Sequence, residues 1–339
     1  MTKQPYDFLS ATFHFFQVFG RHPMGALWIA FWQMLLICAI TVGILAAFWP
    51  LLNLMAEAET ANDAMVMSAL LQSAGWFSFL TIAMVLVALA AQGAWLRLLT
   101  RGVISPVFPF RLWADELRLF GVNFVFIAFW TVGYLAFFIA FVAGAALLGG
   151  VDGFGGVAVG ALLGTVFVLV AVVLLIMVCL RFAAAPALTV HDRRFRLFGA
   201  VRASSGVAGM MFLSYLTLIA VGIAGAVLVS MIQQVALLFA ASDLVGVLMA
   251  LDGTGNADPS EVLVLLGETL TSPMGMALIA IVIVTQFLFQ IAFEGLWHGV
   301  GAYVARRHGE SQAPQTQAPT PDAEAPSEAA PAPAPEPAG

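Results

Sequence analysis

Four polar residues interrupt an apolar run near the C-terminal end of the chain. In "QFLFQIAFEGLWHGVGAYVARRHG", Gln286, Gln290, Glu294 and His298 recur at every fourth position. Each step of four turns a helix by about 40°, so the four form one slowly drifting polar stripe. Ionisable groups inside apolar segments are costly, and those that persist face a bundle interior, pair with a partner or mark a pathway. The chemistry open to this stripe is therefore narrow: an ion pair between helices, or a relay for a proton or a small polar solute. Arg97 and Arg181 close two other apolar runs and are expected at a similar depth. Glu294 is expected to pair with one of them, with the stripe facing inward.

No other constellation points to catalysis. His14, His22, His191, His298 and His308 share no metal-ligand spacing. No glycine-rich loop precedes a Lys, and no nucleophile elbow is present. The glycines between 149 and 156 are not followed by a Lys or a strand–helix unit. Cys38 and Cys179 each lie in an apolar run, where a free thiol behaves as a small hydrophobe. The chain reads as a non-enzyme, with no catalytic, cofactor-binding or metal residues expected.

The elements that must position the stripe follow from composition. The chain is 62% apolar and only 9% charged, where soluble domains average about 25% charged. Lipid must be the solvent for most of that surface. Six runs reach the roughly 20 residues a helix needs to cross a bilayer: Gly25–Trp49, Trp76–Leu96, Gly121–Leu148, Val157–Leu180, Val207–Ala236 and Met274–Tyr303. They are too long and continuous for the alternating strands of a membrane barrel. The expected fold is all-α, with six transmembrane helices as three hairpins and interfacial amphipathic helices. The first run is too long for the core of a cleaved signal and reads as a retained span.

Charge orients the spans. All 13 basic residues fall before span one, between spans two and three, between spans four and five, or after span six. The opposite loops hold Glu57, Glu59, Asp63, Asp152, Asp243, Asp252, Asp258, Glu261 and Glu268, with no Lys or Arg. By the positive-inside rule both termini are expected to be cytoplasmic. In the two larger outer loops, "MVMSALLQSAGW" and "SEVLVLLGETL" are expected either as short helices on the outer surface or folded back over the bundle. Counting 20 residues from Pro273 reaches Phe293, which puts Glu294 at the inner edge of the hydrocarbon. Trp95 and Trp297 are expected at that interface, where Trp is favoured.

Three aromatic-rich lead-ins, "FHFFQVFGRHP", "FPFRLWADELRLFG" and "FRLFGAVRASSG", precede spans one, three and five. With the exit ends "QGAWLR", "VCLR" and "EGLWHG" they suggest a threefold internal repeat. Val107–Phe120 reads as one interfacial helix, with Phe110, Trp113, Leu117 and Phe120 on the lipid side and Arg111, Asp115 and Arg118 opposite. Glu116 falls towards the apolar side without an evident partner. Beside Phe195, Phe198 and Val201, Arg194 and Arg202 are expected to meet lipid phosphates, as are Arg97 and Arg181. Small-residue ridges at Gly156, Gly160 and Gly164, and at Gly295 and Gly299, are expected to let helices approach closely.

The domain reading is a cytoplasmic amphipathic segment over 1–24, a six-helix membrane domain over 25–308 and a tail over 309–339. The tail carries half of the 16 prolines and almost no large apolar residue, the composition of disorder.

In "RFAAAPALTVHDRRFRLFGAVRASSG", Arg181–Gly206, a span ends in an apolar-Ala-Pro motif, followed by a short polar turn and an A-x-R-x-S helix. Ala185, Pro186, Ala187, Leu188, Ala200, Arg202 and Ser204 carry the pattern. In this the chain resembles the bacterial membrane domain sometimes fused to glycerophosphodiester phosphodiesterases, and related multi-span proteins. The bulky residues of that pattern after Ser204 are replaced by "SGVAGMM". The chain shows no phosphodiesterase domain, so the resemblance implies topology and not that activity. The expected function is envelope organisation or lipid handling. Membrane lipids, including anionic headgroups, and membrane proteins are the expected partners, and nucleic acid is not. The alternative is a transporter or channel for a small solute or lipid. It needs a polar path at mid-depth, for which Asn123, Gln286 and Gln290 are the main candidates.

Overall fold

The computed structural model describes residues 5–56, 62–149, 154–254, 264, 267–268 and 271–312. The described residues form helices and connections, with no strand among them. In chain order the helices are α1 Phe8–Thr12, α2 His14–Arg21, α3 Pro23–Ala56, α4 Asp63–Arg101, α5 Ala114–Gly149, α6 Phe154–Phe182, α7 Ala185–Asp192, α8 Leu197–Ala203, α9 Ala208–Thr254 and α10 Pro273–Gln312. Six stretches, one each on α3, α4, α5, α9 and α10 and one running from α6 into α7, are long and apolar enough to cross a membrane. The protein is an all-α, multi-pass membrane protein.

The boundaries follow local chemistry. Asn62 caps α4 by accepting from the Met65 N–H at 2.9 Å, and Gly102 ends it at φ 65°. That left-handed geometry is open to glycine without a Cβ penalty. Pro186 sits in the first turn of α7, where its missing N–H costs nothing.

Several expectations are corrected. "MVMSALLQSAGW" is not a separate surface helix, because α4 runs unbroken from Asp63. Likewise α9 continues past residue 242 to Thr254. Neither stretch contains a proline, so the helix runs on past the expected span end. Val107–Phe120 is not one helix: residues 107–113 are irregular and α5 begins at Ala114. Pro109 interrupts it, since the residue before a proline is pushed away from helical angles. α10 runs to Gln312, so its last turns project past the apolar run. The expectations for a surface helix in "SEVLVLLGETL", for the loop acids Glu57, Glu59, Asp152, Asp258 and Glu261, and for the tail over 313–339 fall on residues outside those described, Glu268 and a few isolated positions apart.

Burial is concentrated at one end. The largest fully buried side chains include Trp95, Leu96, Leu98 and Leu99 at the end of α4, Leu188 and Val190 in α7, Met211 and Leu218 early in α9, and Val300 late in α10. Ile29 near the start of α3, with Leu119 and Val122 near the start of α5, completes the set. Starts of α3, α5 and α9 thus meet ends of α4 and α10, so consecutive spans run in opposite directions. α7 is the centrepiece, packed against α4, α5, α8 and α10. This hub is also the basic end, carrying Arg97, Arg101, Arg118, Arg193 and Arg196. α4 and α10 have 39 and 40 residues, about 58–60 Å at 1.5 Å per residue. That is twice the hydrocarbon thickness, so the charged hub end projects beyond the lipid core.

Away from the hub packing is chiefly pairwise, α9 meeting α10 where Phe293 and Phe289 lie against Gly222 and Gly225. α3 and α4 stay paired along their length, with Gly43 accommodating Leu80. No residue of α6 between Gly164 and Leu180 is buried, and Gly164 has nothing within 4 Å of where a Cβ would stand. For the rest of that ridge, Gly156 and Gly160, surroundings are not among those described. The Gly295–Gly299 pair does receive a neighbour, the N-terminal α2: a Cβ at Gly295 would collide with the Phe15 ring, and one at Gly299 would stand 3.2 Å from the Phe15 backbone N. The strongly amphipathic α2 therefore turns His14, Phe15 and Val18 into the hub rather than into lipid.

His14 is 5% exposed and donates Nε2–H to the Leu99 carbonyl at 3.2 Å. Burial, with Arg306 and Arg21 nearby, pushes its pKa down from 6.5 to about 4. The folded state thus holds neutral imidazole where the unfolded chain takes up a proton. Stability from this group is complete above pH 6.5 and is lost as pH falls towards 4. The expected loss is up to about 3 kcal/mol. Thermal unfolding in detergent checks this: His14→Gln, which can still donate to Leu99, should show a flatter stability profile across that window than the parent.

Candidate functional site

Three arrangements at the hub boundary gather the polar residues. The first is a hydrogen-bonded chain across three helices. Gln33 on α3 accepts from Trp95 Nε1 on α4 at 2.9 Å and donates Nε2–H to Glu294 Oε2 on α10 at 2.7 Å. Gln33 is 3% exposed and Trp95 fully buried. A carboxylate can only accept, so its neighbour must be the amide NH2, and the indole can only donate, so it must meet the amide oxygen. Both ends of the Gln33 amide are thereby fixed. Glu294 is held by Gln33, not by Arg97 or Arg181 as its position in the sequence suggested. Trp95 is a buried donor and not an interfacial anchor, whereas Trp297 remains 40% exposed. His298 Nε2 stands 3.9 Å from Glu294 Oε1, too far for a hydrogen bond.

The second is the ion pair that claims Arg97. Its guanidinium pairs with Glu116, which is 2% exposed, and donates Nη2–H to the Pro109 carbonyl at 3.0 Å. Glu116 Oε2 also accepts the Trp113 N–H at 3.0 Å, capping the start of α5. Room for the carboxylate comes from Gly93, where a Cβ would stand 2.6 Å from Glu116 Oε1. The acid without an evident partner in the sequence is thus the buried clamp between α4 and α5. Asp115 beside it takes Arg101 at 3.3 Å and Arg118 at 2.9 Å.

The third is a chamber of about 420 Å³ at the centre of the bundle, floored by α7. Leu96, Phe126, Ile176, Leu216 and Ile219 give it an apolar wall, while Gln92, Tyr215 and His298 bring polar atoms to it. Gln92 Oε1 is already taken by the Asn123 amide at 2.6 Å. Tyr215 lies against Trp297, ring centroids 4.9 Å apart. Five of the six long helices, all but α3, contribute to the lining.

The polar stripe therefore divides. His298 lines the chamber and Glu294 joins Gln33. Gln286 and Gln290 are exposed, and with Phe289, Phe293, Glu294 and Trp297 they line a separate groove of about 430 Å³ along α10. The helical drift of the stripe carries its outer half off the interior face. Arg181 is exposed and lines a third cleft, between α6 and α9. Arg194 and Arg202 are exposed at the hub end, and no ion pair joins either to another described residue. No cluster of metal-ligating side chains exists among the described residues. Sequence reading passed over Gln33 and Gln92. The signal was present, since each is a lone amide in an apolar run, "FWQMLL" and "AAQGAW", and such residues in spans seek partners.

Removing one partner of a buried ion pair strands the other charge, at about 3–5 kcal/mol. Glu116→Leu should therefore destabilise the detergent-solubilised protein by that amount. Glu116→Gln keeps one acceptor oxygen where the carboxylate has two, so it can still accept from Arg97 but loses the Trp113 N–H, and should cost about 1–3 kcal/mol. Replacing both Arg97 and Glu116 by Leu should recover part of the single-variant loss. Melting temperatures of the four proteins check the order.

Comparison of the chain with family models, with curated proteins and with solved structures finds no match in any of the three.

Proposed function

We propose that the protein is a non-catalytic multi-pass protein of a bacterial inner membrane that handles lipid, holding an amphiphilic molecule in its central chamber. The chamber carries this reading. Its wall is apolar, its few polar atoms gather where the bundle meets the hub, and the splayed helices around it leave lateral ways in. A molecule with a hydrocarbon body and a polar end matches that distribution. A hydrated ion or sugar does not, because the wall offers little to replace its water.

The hub end supplies the context. Both termini are assigned to the cytoplasm by the confinement of basic residues to that end. Around it Trp113, Leu117, Phe195 and Phe198 are exposed, at 71%, 73%, 50% and 77%. Arg111 lies 5.8 Å from the Trp113 ring centroid. Aromatic rings beside arginines suit the headgroup layer. Transport of a small solute is the weaker reading, since Gln286 and Gln290 lie on the α10 groove instead of the chamber.

Native mass spectrometry of the gently purified full chain tests the proposal. A lipid-sized adduct should persist on the parent protein. Ile219→Trp, which fills the chamber at a half-exposed position, should lose most of it without lowering the melting temperature. Equal retention by the filled variant would overturn the reading.

A further inference from the structure

Beside the chamber lies a second cavity, a cleft of about 310 Å³ between α6 and α9. Val173, Ile176, Met177, Leu180, Ala208, Gly209 and Phe212 make its walls, and Arg181 is the single charged residue on it. Along α6 the cleft spans Val173 to Arg181, about 12 Å at 1.5 Å per residue. That is most of the depth of one hydrocarbon leaflet, about 15 Å. Its lower corner is fixed: the Ser204 hydroxyl donates to the Arg181 carbonyl at 3.2 Å, tying the end of α6 to the turn before α9. The Arg181 side chain itself is exposed, and no ion pair joins it to a described residue.

An apolar slot one leaflet deep, with one unmatched cation at the basic end, has the charge pattern of a phospholipid in reverse. We propose that this cleft binds an anionic phospholipid, with its phosphate on Arg181 and one acyl chain between α6 and α9. The occupant is set by both features together. The guanidinium forks onto a phosphate through two parallel N–H groups. The apolar walls accept only hydrocarbon, which a free phosphate lacks. Ile176, Leu180 and Phe212 line the cleft and the chamber alike. Those three side chains are the partition between the two, so the cleft is also the lateral approach by which a lipid reaches the chamber. This deepens the lipid-handling reading and rests on it only for that last step.

The test is thermal stabilisation of the delipidated full chain in detergent by added lipid. Phosphatidylglycerol should raise the melting temperature saturably, and inorganic phosphate at the same concentration should not. Arg181→Gln should weaken the apparent affinity for phosphatidylglycerol about tenfold, and Arg181→Lys should retain more than Gln does. Gly209→Trp, which fills the cleft at an exposed position, should abolish the shift. A monodisperse gel-filtration peak for each variant shows that it folds. An unchanged affinity in Arg181→Gln, or an equal response to inorganic phosphate, would overturn the proposal. Ile219→Trp separates the two readings. If it retains chamber lipid as the parent does while Arg181→Gln still weakens phosphatidylglycerol binding, the chamber reading fails and the cleft stands. If Ile219→Trp loses its adduct and Arg181→Gln changes nothing, the cleft fails and the chamber stands.

Discussion

Lipid tails are as apolar as leucine, so one apolar helix gains no hydrophobic free energy by burying its side against another in hydrocarbon. The architecture follows from that constraint. Six long apolar helices cannot be gathered by the force that folds a soluble domain. They are gathered instead at the end that leaves the lipid, where burial of a large side chain is again worth about 1.5–3 kcal/mol. Trp95, Leu96, Leu98, Leu99, Leu188 and Val300 are buried there. Three short helices, α2, α7 and α8, pack between the long ones. Polar clamps then fix the register: Gln33 ties α3, α4 and α10 together, and Glu116 ties α5 to α4. Each works because burial makes an unmatched partner expensive.

The same constraint explains the open interior. Beyond the hub little draws α5 and α6 onto the rest, and α6 buries none of its residues between Gly164 and Leu180. What remains is a chamber whose α5 and α6 sides are held mainly at the hub end, with an adjoining cleft whose charged residue stands at the basic end. In a membrane such spaces fill with the surrounding solvent, which is lipid. The proposed lipid site would therefore follow from how the bundle is held together.

Much of this was legible in the sequence because it is written in long runs. Apolar stretches of 20 or more residues announce the helices, and the segregation of basic residues announces which ends meet. The details that failed depend on neighbours distant in the chain. Nothing near Glu294 names Gln33, 261 positions away. Glu116 looked unmatched because Arg97 lies across a turn and the small Gly93 that admits the carboxylate is silent in a hydrophobicity pattern. Trp95 resembled Trp297 in its local motif, yet one is fully buried and the other is 40% exposed, since interfacial preference yields where a protein acceptor is at hand. The inward half of the polar stripe was readable, but a drift of about 40° per step decides where it leaves the interior, and only packing fixes that point.

The account turns on the chamber being a place for hydrocarbon and not for water, and the chain carries its own probe. Cys179 lines the chamber, and Cys38 is the other free thiol. With Cys38 replaced by Ala, the rate at which a charged, water-soluble thiol reagent modifies Cys179 in native membranes reads the chamber's contents directly. Lipid filling predicts a residue that stays unmodified until the protein is denatured. Modification at the rate of a water-exposed thiol in the folded protein would mean an aqueous interior, and would contradict the account.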